Sequence, residues 1–257
     1  MPQHRLAGKR VIVTGAGQGL GREFALHLAG LGANVLAADV RPDRLRATHE
    51  HASAQGVEIH ATTTDVSDPE QTRALAATAN DVLGGLDALV NNAAIVEGLG
   101  RRPFDEIGDD EWDRVLEVNV KGAWLCAKGA VPLMRDAGGG SIVNMASEVA
   151  FSGSPGLAHY VTSKAAVIGL TRGLARELGR DHIRVNALAP SAVLTDGTRE
   201  FFGDKTDRAL EVIKTGQSIQ RNLTPPDLVG AVIWLVSDAS CFVTGQTIAI
   251  DGGTVML

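Results

Sequence analysis

Arg10-Val11-Ile12-Val13-Thr14 is a β-branched run that leads directly into Gly15-Ala16-Gly17-Gln18-Gly19-Leu20-Gly21. Phe24, Ala25, Leu28 and Leu31 then recur at helical spacing. The glycines therefore lie on a strand-to-helix turn. Backbone can approach a ligand closely there, and the helix start offers free N–H groups and a positive dipole end. A phosphate is the natural guest. The next strand, Asn34 to Ala38, ends in Asp39, 20 residues after Gly19. A carboxylate at the tip of a second strand can accept hydrogen bonds from a ribose diol and repels a 2′-phosphate. Val40 follows, and Arg41 comes one residue later. Strand, glycine turn, helix and acidic strand end make a nucleotide-binding βαβ unit that selects NAD over NADP.

The alternation continues along the chain. Pro42 to Gln55 reads as a polar helix and Val57 to Thr63 as a strand. Asp68 caps a helix that has Pro69 at its first position and runs to Leu83. Leu86 to Val90 is a fourth strand. Asp110 to Arg135 reads as one long helix, stopped by Gly138-Gly139-Gly140. Ser141 to Met145 is a fifth strand, Tyr160 to Leu178 a second long helix, and His182 to Leu188 a sixth strand. Pro225-Pro226 opens a helix to Val236, and Thr247 to Ile250 is the last strand. Seven strands alternating with helices predict an α/β fold, a single doubly wound Rossmann-type domain over 1–257 with a seven-stranded parallel sheet. The mixed, polar segment 192–224 is expected to be a helical flap over the site.

The composition narrows the function classes. The chain has 257 residues, 44% of them apolar, which is enough for a large core without disulfides or metals. A net charge of −6 and scattered basic residues exclude a nucleic-acid footprint. No apolar run approaches the ~18 residues of a membrane span. Met1 to Lys9 lacks the apolar core of a signal peptide. Cys126 and Cys241 have no metal-ligand spacing, so no metal is expected. A cytoplasmic location is the expectation.

A second constellation lies between Ser147 and Lys164. Tyr160 is the only tyrosine of the chain, and Lys164 follows by four residues, on the same face of a helix. A lysine ammonium beside a phenol favours the phenolate, so the Tyr160 pKa is expected below that of a free phenol. Such a group can exchange a proton near neutral pH. Ser147 supplies a hydroxyl for a substrate oxygen. Glu148 can touch a substrate hydroxyl or amine or face water, with water the expectation, and His159 is expected to reach the pocket wall at most. Val149, Phe151, Phe201 and Phe202 suggest an apolar pocket, bounded by Glu97, Glu148 and the 192–224 segment.

These residues resemble the short-chain dehydrogenase/reductase family over nearly the whole chain. Thr14-Gly15-x-x-x-Gly19-x-Gly21 is similar to its cofactor turn, and Asn91-Asn92-Ala93-Ala94 to its Asn-Asn-Ala-Gly element. Asn119 in Val118-Asn119-Val120, with Ser147, Tyr160 and Lys164, is similar to its catalytic set, including the 13-residue step from serine to tyrosine. Thr244-Gly245-Gln246 and Asp251-Gly252-Gly253 resemble its C-terminal signature. Pro190-Ser191 stands where the family commonly has Pro-Gly. That variant and the tail are also similar to secondary alcohol dehydrogenases of the 1-phenylethanol type and to pyridoxal 4-dehydrogenase.

The resemblance implies an enzyme that transfers hydride between NAD and a secondary alcohol or ketone, aryl-alkyl or cyclic. Tyr160 would remove the alcohol proton. Lys164 would tune Tyr160 and hold the nicotinamide ribose, Ser147 would hydrogen-bond the substrate oxygen, and Asn119 would position a water in a proton path. Asp65 would contact adenine, and Val193 and Thr195 would hold the carboxamide. The implied cofactor set is completed by Gly15, Gln18, Gly19, Leu20, Gly21, Asp39, Val66, Asn92, Ala93 and Pro190, together with Tyr160 and Lys164. A homotetramer is implied, paired through the two long helices. A sugar or polyol dehydrogenase, a 3-ketoacyl reductase and a non-catalytic NAD sensor or scaffold are the other readings.

Overall fold

The computed structural model describes residues 6–96 and 98–256, without the side chain of Asp196. Glu97 and Leu257 lie outside the described residues, as does most of the Met1 to Lys9 segment. The elements in chain order are β1 (Arg10–Thr14), α1 (Gly19–Gly30), β2 (Asn34–Asp39), α2 (Pro42–Ala54), β3 (His60–Thr63), α3 (Pro69–Leu83) and β4 (Ala88–Asn91). They continue with α4 (Asp109–Leu116), α5 (Ala123–Asp136), β5 (Gly140–Met145), the short α6 (Val149–Ser152), α7 (Ala158–Leu178) and β6 (Ile183–Pro190). Last come α8 (Asp196–Phe202), α9 (Thr206–Gly216), α10 (Pro225–Val236) and β7 (Thr247–Ile250).

The strands form one seven-stranded sheet in the order β3-β2-β1-β4-β5-β6-β7, and every pairing is parallel. Alternate residues of each strand enter opposite layers. Val11 and Val13 pack with Phe24, Leu28 and Leu235 on one face, whereas Ile12 packs with Leu75, Met134 and Ile142 on the other. Both faces are covered, as a parallel sheet requires. Strand order reverses between β1 and β4, so the connections leaving these two strands turn to opposite sides. The crevice that opens between them at their carboxyl ends is where such sheets bind ligands.

Several elements differ from the sequence expectation. The helix read over Asp110 to Arg135 is two α-helices joined by a π-helical turn, Glu117–Gly122. A π turn widens the hydrogen-bond register locally and marks functional sites more often than ordinary helix does. Asn119 occupies this turn and is buried. β3 begins at His60 rather than Val57, because the Val57 N–H donates to Ala52 O at the end of α2 (3.0 Å). β6 extends to Pro190, in register with Ile250. Asp68 caps α3 as expected, accepting from the N–H groups of Glu70 and Gln71. In the 192–224 region, Val193 bridges Leu223, so the start and end of the segment are tied together around α8 and α9.

Candidate active site

The crevice at the switch point encloses about 640 Å³. One end is built by the glycine turn. Gly15 has φ +64°, and a Cβ there would stand 2.8 Å from Ala93 Cα. Gly21 is constrained by space rather than by dihedral. A Cβ would sit 2.1 Å from Gly15 O and 2.5 Å from Asn92 Nδ2. All the expected cofactor residues border the crevice except Gly21, which is buried behind the turn and lets α1 pack against it. The N-cap residue Gln18 makes no side-chain capping bond to the first turn of α1, and N–H groups at a helix start suit an anion.

The turn is held from β4. Asn92 Nδ2 donates to the carbonyls of Thr14 and Gly15, both at 3.1 Å. The N–H groups of Asn92 and Ala93 both donate to Thr14 Oγ1 at 3.1 Å. Asn92 therefore shapes the cradle with its carboxamide, and Thr14 is the partner to which the motif alone assigns no role. Asn91 turns the other way, donating to Asn144 Oδ1 (2.9 Å), whose own amide donates to Thr171 (2.9 Å).

At the end of β2, Asp39 accepts from the Gly17 N–H (2.8 Å) and the Arg41 N–H (2.9 Å). A carboxylate has about four acceptor positions, so two remain for a ligand. Asp65 is pinned by the Ser67 N–H and hydroxyl (2.9 and 2.6 Å) and by Arg114 (3.3 Å). Burial pushes the Asp65 pKa up, but these partners outweigh it and hold the carboxyl below the usual carboxylate range.

Ser147, Tyr160 and Lys164 all border the other end of the crevice. Ser147 follows β5, and its Oγ donates to Pro190 O at 3.4 Å. Lys164 is buried, with Nζ 5.6 Å from the Tyr160 ring centroid and donating to Met145 O at 2.8 Å. The predicted i,i+4 pair is present, but its predicted effect on Tyr160 is not. Burial pushes the Tyr160 phenol up to about 12, a hydrogen bond with Ser147 opposes this, and the nearby Glu148 charge adds to it. Burial also pushes Lys164 down to about 8. Desolvation disfavours the charged form of both groups and is the largest influence on each.

Asn119 does not border the crevice. It accepts from the Ile95 N–H (2.7 Å) and donates to Ile95 O (3.3 Å) and Ser163 Oγ (3.0 Å). Ser163 Oγ donates in turn to Tyr160 O (2.7 Å), so Asn119 is linked to the backbone of the tyrosine's own turn. His159 is fully buried with Nε2 2.9 Å from Glu111 Oε1, and it is not in the pocket wall. Its position next to Tyr160 on a helix turns it toward α4. Glu148 corrects the sequence expectation in the opposite sense: it borders the crevice rather than facing open water. Ser191 adopts no unusual backbone; among the described residues His182 is the only non-glycine with positive φ.

Residues 15–255 match the family model described as enoyl-(acyl carrier protein) reductase. The chain is 37% identical over 254 residues to the short chain dehydrogenase/reductase astE of Aspergillus oryzae, covering 98% of this chain and 97% of that protein. The chain belongs to the short-chain dehydrogenase/reductase family. It is 36% identical over 249 residues to the 3-oxoacyl-(acyl-carrier-protein) reductase FabG of Staphylococcus epidermidis, covering 96% of this chain and 99% of that one. A solved structure from Beutenbergia cavernae, assigned as an NAD(P)-dependent gluconate 5-dehydrogenase and holding NADP at low occupancy, superposes with a TM-score of 0.89. It is 37% identical and covers 98% of both chains.

As a short-chain dehydrogenase/reductase, the protein is an oxidoreductase that uses a nicotinamide cofactor. Its residues fit that group. The cradle at Gly15 and Gly21 has no room for a Cβ, the start of α1 leads out of it, and Asp39 keeps acceptor capacity at the end of β2. Among the described residues, no helix is long and apolar enough to cross a membrane.

Proposed function

We propose that the protein is an NAD-dependent oxidoreductase that interconverts a secondary alcohol and its ketone, with Ser147, Tyr160 and Lys164 at the reacting end and Asn119 behind them. The observation that carries this reading is the meeting of Ser147, Tyr160 and Lys164 on a crevice whose opposite end is the glycine cradle. A bound nicotinamide supplies the hydride donor or acceptor. Tyr160 exchanges the proton with the substrate oxygen. Burial keeps its phenol protonated, the state that donates to a carbonyl oxygen during reduction. Ser147 holds the same oxygen and offsets charge that develops on it. Lys164 Nζ, fixed by Met145 O, adds positive charge beside the phenol.

The preference for NAD rests on Asp39 and on the state of Arg41. Asp39 puts a carboxylate at the end of β2, where a 2′-phosphate would have to be accommodated. Arg41 could favour that phosphate, but its guanidinium is engaged by both oxygens of Asp43 (3.1 and 3.0 Å). We also propose a homotetramer, supported by exposed apolar side chains. Trp124 is 42% exposed on α5, and Phe242 and Met256 stand almost wholly in solvent. A cytoplasmic location fits Cys126 and Cys241, both free thiols.

The test is turnover of a panel of secondary alcohols and ketones with each cofactor. We expect higher kcat/KM with NAD(H), a gap that narrows in Asp39→Ala, and loss of at least a hundredfold in Tyr160→Phe. A preference for NADP(H), or a Tyr160→Phe variant with undiminished kcat, overturns the corresponding part. Light scattering that finds a stable monomer overturns the tetramer.

A further inference from the structure

Glu148 is a carboxylate on a crevice whose lining mixes apolar residues with Ser147, Ser154, Tyr160 and Ser191. Its backbone N–H donates to Pro190 O (3.0 Å), which fixes the residue at the end of β6 immediately after Ser147. The side chain borders the crevice and is only partly exposed. Oε2 accepts from the Ser152 hydroxyl at 2.6 Å. Oε1 has no hydrogen-bond partner among the described residues. The Asp251 carboxylate acts on its charge, and its charge in turn acts on the Tyr160 phenol. Asp251 is committed elsewhere, accepting from the N–H groups of Gly253 (2.9 Å) and Val255 (2.8 Å). Val149, Leu157, Phe201 and Phe202 line the same end of the crevice.

Oε1 opens on the crevice, and a ligand that displaces water from this oxygen leaves it desolvated unless something else hydrogen-bonds it. The group that does so must carry a donor, and it must lie within reach of the residue next to Ser147. From this we infer that Glu148 is a specificity-determining residue that accepts a hydrogen bond from a hydroxyl or ammonium on the carbon next to the reacting one. The favoured substrate is then a 1,2-diol, an α-hydroxyketone or the corresponding amino alcohol with an apolar arm against Phe201 and Phe202, rather than a simple aryl-alkyl alcohol. This rests on the secondary-alcohol reading and makes its substrate class specific.

The experiment compares 1-phenylethane-1,2-diol, 2-amino-1-phenylethanol and 1-phenylethanol on wild type, Glu148→Gln and Glu148→Leu. It reads kcat/KM with NAD⁺ and, separately, the rise in Tm that each compound gives the full chain in the presence of NADH. A hydrogen bond to a charged group separates a substrate from its analogue by roughly ten- to a hundredfold. We expect wild type to favour the diol or the amino alcohol over 1-phenylethanol by that factor. Glu148→Gln keeps one acceptor and should retain part of the preference, whereas Glu148→Leu should lose or invert it. The diol and amine arms tell hydrogen bonding from charge pairing, and a preference for either supports the inference. Equal kcat/KM for all three compounds in wild type and Glu148→Leu overturns it, as does a Tm rise from none of them. Selective binding without turnover keeps the inference and overturns the proposed reaction instead.

Discussion

Replacing Lys164 by methionine tests the balance of forces at the reacting end directly. Lys164 is buried, and its pKa falls from the ordinary 10.5 to about 8 because burial disfavours the ammonium. At ~1.4 kcal/mol per pH unit, that drop corresponds to about 3 kcal/mol. The folded pKa of a base is depressed in this site, so the fold carries this whole cost below about pH 8, where folded and unfolded chains are both protonated. Between about 8 and 10.5 the unfolded chain binds more protons than the folded one, and stability rises with pH. Above that range the cost is gone. Methionine removes the charge but leaves Met145 O without its 2.8 Å donor, a loss of about 1–3 kcal/mol. Lys164→Met should therefore match or exceed wild-type stability near pH 6.5 and fall behind it near pH 10. The stability difference between the two proteins should change by about 2–3 kcal/mol over that range. Urea unfolding of the cofactor-free proteins at a series of pH values reads this difference, and groups that titrate alike in both, such as Cys126, cancel. A difference that stays flat from pH 6.5 to 10 would show that Lys164 keeps an ordinary pKa and that desolvation does not govern its charge.

Gly21→Ala puts a Cβ 2.1 Å from Gly15 O, so it should displace the cradle and abolish NADH binding in a fluorescence titration. Binding within twofold of wild type would show that the turn yields. Asn119→Leu strips Ile95 of both its side-chain partners, at about 1–3 kcal/mol each when buried, and should lower stability by about 2–5 kcal/mol. A change under ~0.5 kcal/mol would remove the structural role of the π turn. Glu148→Gln takes away a charge that raises the Tyr160 pKa. The pH limb governed by Tyr160 deprotonation in alcohol oxidation should move to lower pH, and an unmoved limb would count against that coupling.

The architecture was legible from local pattern alone. Strand and helix periods are local, and each glycine, proline and cap acts within a few residues of itself. That is why β1, α3 and β7 fall on their expected bounds, and why the glycine turn could be placed at a strand end. Motif spacing also carried Ser147, Tyr160 and Lys164 to one crevice, since a helical i,i+4 pair keeps its neighbours whatever surrounds it. The signs of interactions that sum over distant parts of the chain were not legible. The phenol of Tyr160 rises instead of falling because residues from several elements desolvate it together, and no local spacing encodes that sum. Asn119 lies in a π turn, and its partners, Ile95 and Ser163, lie 24 and 44 residues away, beyond the reach of any local pattern. Asn92 and Gly21 support the cradle from behind through contacts with Thr14 and Gly15. Glu148 follows Ser147 in the chain, but whether its carboxylate lay on the crevice or in open water was decided by the packing of β6, α6 and the C-terminal turn around it, because burial is a property of the assembled surface and not of a residue's neighbours in sequence.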